Sequence, residues 1–133
     1  MSDETRILAG ILLLALVTVE TGGLYMVKLW RSREGVTDFQ IGFARAGHAH
    51  AGVLLVLSLT ALLYADTAGL SGVWNWLARS GVPVAAILMP AGFFAASMGS
   101  GRTQPNKLIG LVFAGAVVLA LGLASLGIGL LTA

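Results

Sequence analysis

The chain has no cysteine among its 133 residues. That absence removes disulfides, thiolate metal sites, iron–sulfur ligation and covalent c-type haem attachment together. Charge is nearly as scarce: 11% of residues are charged against 57% apolar, and the mean hydropathy is +0.91. A soluble domain carries roughly 25% charged residues, so an ordinary water-soluble fold is excluded. The formal net charge of +2 comes mainly from short segments between apolar runs. There is no basic stripe with interleaved aromatics, and no nucleic-acid partner is expected. Ser2-Asp3-Glu4 precede Arg6, and the first apolar run is too long for a signal with no small-residue cleavage site after it. That run is therefore expected to be a retained span in a single membrane domain over 1–133.

What is present is four long apolar stretches, Ile7–Val27, Ala46–Ala65, Val82–Met98 and Leu108–Ala133. Each approaches the roughly 20 residues a helix needs to cross a bilayer core. Backbone groups in lipid must be bonded internally, and continuous runs without period-2 alternation select helices over a barrel. The expected fold is all-α: a four-transmembrane-helix bundle, up-down-up-down, with spans at about 7–29, 40–65, 82–99 and 107–132. Thr37 or Asp38 is placed to cap the second helix. Pro83 suits the first turn of the third, and Pro90 with Gly92 predicts a kink within it.

Basic residues give an orientation. Lys28, Arg31, Arg33 and Arg45 flank the first loop and Arg102 and Lys107 the third, with Arg6 and Arg79 on the opposite side. The positive-inside rule then puts loops one and three in the cytoplasm of a bacterial inner membrane, with both termini external. Tyr25 and Trp30 mark one interface, and Tyr64, Trp74 and Trp76 the other. Gly115, Gly122 and Gly129 recur every seven residues in the last helix. They suit close helix packing, within the chain in preference to a dimer or partner surface.

Within the apolar runs the ionisable side chains are Glu20, His48 and His50, with Arg45 just before the second run. Such groups are costly at membrane depth and mark functional sites. On a rise of ~1.5 Å per residue, Glu20 and His50 both lie about 15 Å above the inner interface, and Arg45 about 8 Å above it. Antiparallel neighbours would bring these groups to one level. Residues two apart on a helix differ by about 200°, so His48 and His50 point to opposite sides and cannot clasp one ion as a pair. His50 is expected to face inward among small residues, and His48 to meet Glu20 or another subunit. A buried Glu20–Arg45 ion pair that only fixes helix register is an equally weighted structural reading.

Imidazole with a nearby carboxylate suits a b-type haem or a divalent metal ion, with His48, His50 and Glu20 as ligand candidates. Arg45, Gly47 and Gly52 would line the site. Helices three and four hold no histidine for a second axial ligand. A Glu–His–Arg chain also has the composition of a proton relay in a channel or transporter. The third possibility is an assembly subunit without ligand, its polar cluster docking a homodimer partner or another membrane protein. No catalytic signature is present, so no catalytic residues are assigned and a non-enzyme is favoured.

The string Gly47-His48-Ala49-His50-Ala51-Gly52-Val53-Leu54 resembles the His-x-His helix openings of some haem-copper-oxidase-like bacterial integral membrane proteins. The resemblance covers eight residues. It implies a haem-binding or respiratory accessory role, while the other histidines those proteins use for haem and copper are absent here. The whole chain also resembles small four-span bacterial membrane proteins.

Overall fold

The computed structural model describes residues 1–33 and 35–133; Glu34, in the first loop, lies outside the described residues. The chain forms α1 (Asp3–Arg31), α2 (Asp38–Ala65), α3 (Gly72–Ala96), a 3-10 turn (Lys107–Ile109) and α4 (Gly110–Thr132). All four helices are long and apolar enough to cross a membrane, the last counted with its 3-10 turn. Their outward faces are apolar: Ile7, Leu14, Val17 and Leu24 of α1 and Phe113 and Val117 of α4 are exposed. Such a surface belongs in lipid, where apolar exposure carries no penalty.

Local chemistry sets the ends. Ser2 accepts from the Thr5 amide, Asp3 and Glu4 occupy the first turn of α1, and Lys28 and Arg31 occupy its last turn, matching the helix dipole. Thr37 and Gln40 close a reciprocal capping box on α2. The Gln40 amide also donates to the Ser97 and Gly99 carbonyls at 2.9 and 2.7 Å, and the Thr37 hydroxyl donates to the Arg102 carbonyl. Asn106 donates to the Ala95 carbonyl and accepts from Leu108 N–H. The start of α2 thus satisfies carbonyls at the C-cap of α3 and in the loop beyond it, and Asn106 satisfies one in the last turn of α3.

The third helix departs from the sequence expectation. It begins at Gly72, about ten residues before the predicted start, so Pro83 lies well inside it and not in its first turn. Gly69 and Gly72, at φ +61 and +58, turn the chain sharply after α2. Asn75, Arg79 and Ser80 lower the hydropathy of this stretch. Arg79 nevertheless fits in the helix because a neighbouring carboxylate holds it.

Helices α3 and α4 pack backbone to backbone. A Cβ on Gly81 would stand 2.6 Å from the Gly122 Cα, and one on Gly115 would stand 2.5 Å from Met89 Cγ. Gly129 abuts Leu70, and Ser125 donates to the Trp74 carbonyl at 2.8 Å. The seven-residue glycine repeat is therefore an intramolecular seam, and these two helices run antiparallel. Leu54, Leu55, Leu62, Ala85, Ala86 and Met89 form the core between α2 and α3, and Leu12 of α1 joins it. By contrast, α1 buries only Thr5 and Leu12. It is a peripheral helix laid mainly on α2.

Its N-terminal end is clamped. Asp66, just past α2, accepts from Ser2 N–H at 2.7 Å, the Thr5 hydroxyl at 3.0 Å and Arg79 Nη2 at 2.7 Å. Arg79 also donates to Asn75 and to the Ser2 and Thr5 hydroxyls. These bonds, led by the Ser2 amide and then the Arg79 guanidinium, hold the Asp66 carboxyl well below the usual aspartate range.

Gly81→Ala is expected to destabilise by about 1–3 kcal/mol through overpacking, while Gly127→Ala, with nothing within 4 Å of the new Cβ, is not. Unfolding in detergent measures both. Asp66 has a depressed pKa in the folded state, so its contribution is complete above its ordinary value of 3.8 and is lost as pH falls below it. The gap in melting temperature between wild type and Asp66→Asn should be widest near neutrality and narrow below that value.

Candidate functional site

The two histidines sit on opposite sides of α2, as their spacing requires, and both are half-buried. His48 faces α1. A Cβ on Gly22 would stand 3.1 Å from its Nδ1, and one on Gly23 would stand 3.7 Å from its Nε2. The ring therefore lies in a notch made by two adjacent glycines. Its contact with residues 22 and 23 also places Glu20 close to the histidine level. No hydrogen bond to either His48 nitrogen occurs among the described residues.

His50 faces the α3 side. Its Nδ1 lies 2.7 Å from the Ala46 carbonyl oxygen, one turn back. A carbonyl only accepts, so the ring nitrogen in this bond carries the hydrogen, and in the neutral ring Nε2 keeps its lone pair. The ring centroid is 4.8 Å from that of Phe93. Phe93 in turn meets Phe43 edge-on at 5.5 Å, and Phe43 meets Phe39 at 4.3 Å. An aromatic row thus runs from the start of α2 to His50. By composition alone Phe93-Phe94 would pass for packing or lipid contact. The spacing of Phe39, Phe43 and His50 along one side of α2 was the available signal for the row.

The remaining candidates scatter around these rings. The missing side chain of Gly47 is replaced by the Phe94 ring, 2.9 Å from where a Cβ would sit, and Gly52 lies beside Val19. Glu20 and Arg45 are exposed. Among the described residues neither forms an ion pair, with the other or with a histidine. Arg45 lines a cleft of about 190 Å³ with Met26, Val27, Leu29, Trp30 and Ile41. The expected meeting of Glu20 with the imidazoles is thus a shared level without a bond, and the register-fixing Glu20–Arg45 pair is not formed. No group of three or more His, Asp or Glu side chains able to hold a metal ion occurs among the described residues.

Ser58 is buried and donates to the Leu54 carbonyl at 2.7 Å, away from both rings. What the geometry offers chemically is one oriented imidazole, a second imidazole against a glycine notch, and nearby two charges that have no partner among the described residues. Comparison with protein-family models, curated proteins and solved structures gave no match to this chain. The class of molecule rests on its own geometry: an all-helical protein with four helices long and apolar enough to cross a membrane.

The glycine notch can be tested directly. Gly22→Leu should push His48 out of place and cost about 1–3 kcal/mol by overpacking. Gly23→Ala makes only ordinary van der Waals contact and should be nearly neutral. Denaturation midpoints of the two variants in detergent check this.

Proposed function

We propose that this chain binds a b-type haem within the bilayer through His50 Nε2, as an accessory subunit of a respiratory membrane complex. The observation carrying this reading is the His50 Nδ1–H bond to the Ala46 carbonyl. A histidine that ligates a metal characteristically donates its other ring N–H to a carbonyl or carboxylate, which fixes the tautomer and raises the basicity of the ligating nitrogen. A macrocycle brings four of its iron's donors with it, so one protein imidazole suffices for attachment. A bare divalent ion needs more ligands than His50 can supply, and no three-ligand group stands around it among the described residues. Phe93, against the imidazole, adds apolar surface of the kind a flat cofactor buries.

In this reading the protein lies in a bacterial plasma membrane. Its four spans cross alternately, and both termini are external, as the basic flanks of loops one and three favour. The respiratory assignment is supported by the His-x-His helix opening.

Purified protein from haem-replete cells is expected to show a Soret band that is lost in His50→Ala and kept in His48→Ala. A colourless wild-type protein, or a band lost equally in both variants, overturns the assignment. A colourless protein would direct attention to proton flux, measured in liposomes with Glu20→Gln.

A further inference from the structure

With His48, Glu20 and Arg45 are the ionisable groups of the membrane-depth cluster that the haem reading leaves unused. Both are exposed, on adjacent helices. They also share one flank. Arg45 lines its cleft with Val27 of α1, and Glu20 lies seven residues from Val27, two turns along the same helix face. The contact of His48 with Gly22 and Gly23 sets the register of the two helices. On that register the two charges differ in depth by about 8 Å, within the combined reach of both extended side chains. Between them on α1 lies Leu24, 73% exposed. Carboxylate and guanidinium groups facing hydrocarbon are expensive, and in membrane proteins they face protein or water and pair with each other.

We propose that this α1/α2 flank is the contact surface for a second copy of the chain, with each Glu20 paired to the partner's Arg45. The flank carries one negative and one positive group, so it is complementary to itself. A two-fold axis along the membrane normal keeps every residue at its own depth and forms the pair twice. The same contact covers the side of α1, a helix with only two buried residues in its own chain. It lies on the α1 side of α2, whereas His50 faces α3; dimerisation and haem attachment are therefore separable.

The absence of native cysteine makes a clean test possible. Leu24→Cys in otherwise unaltered protein should form an inter-chain disulfide dimer in native membranes. Adding Glu20→Arg or Arg45→Glu alone should cut the dimer yield about tenfold, a loss of roughly 1.4 kcal/mol of association free energy. The deciding experiment co-expresses the two single variants under different tags, each with Leu24→Cys. In a mixed pair both contacts regain opposite charges, so mixed dimers should return towards wild-type yield while each variant alone stays at the reduced yield. Recovery in the mixture also shows that both variants are folded. No cross-link in the parent, insensitivity to charge reversal, or loss without recovery in the mixture would overturn the proposal. Recovery confined to the double variant Glu20→Arg/Arg45→Glu would assign the pair to a single chain and overturn it equally.

Discussion

A single carboxylate, Asp66, ties three helices together at one end of the molecule. It takes hydrogen bonds from the start of α1 and a guanidinium from α3 while terminating α2. Helix α1 depends on this arrangement more than the others do, because burial contributes little to holding it: most of its apolar surface faces outward. In lipid that surface gains nothing by leaving the solvent, so polar contacts and close packing must determine where the helix lies. The position of α1 then decides what His48 touches, and with it how Glu20, Arg45 and the two histidines lie relative to one another.

At the opposite end the side chains that bridge α2, α3 and the loop to α4 are uncharged. Thr37, Gln40 and Asn106 donate to carbonyls at the end of α3 and in the loop that follows it. Between the two ends, α3 and α4 approach until glycine backbones touch, and the α2/α3 core fills with Leu, Ala and Met. The result is a tight three-helix body with a fourth helix at its edge. His50 belongs to the body and His48 to the seam with the peripheral helix. The two imidazoles of one short string therefore sit in different mechanical settings. One has its ring hydrogen-bonded to its own helix, and the other depends on the placement of a neighbour.

Much of this was legible beforehand. Four spans, the Thr37 cap, the opposite facing of His48 and His50, and the packing role of the glycine repeat all follow from length, local chemistry and helical period. The start of α3 was not legible. Asn75, Arg79 and Ser80 read as loop because hydropathy scores each residue alone, whereas Arg79 is accommodated by a carboxylate thirteen residues away in sequence. Asp66 likewise lies at a helix end, and nothing local shows that two other side chains and an amide converge on it. Nothing in sequence distinguishes Phe93 and Phe94 from other apolar residues, although one packs on His50 and the other occupies the space left by Gly47.

By itself the sequence determined how many helices there are, that they suit lipid, and which residues share a helical face, because these depend on composition and on a 3.6-residue period. Only the tertiary structure decided that Glu20, at the level helix rise predicts, forms no bond with the imidazoles among the described residues, and that Arg79 closes on Asp66. Contacts of this kind depend on the offset and rotation of one helix against another. A change of one turn or a few tens of degrees makes or breaks them, and no single-helix pattern records either quantity.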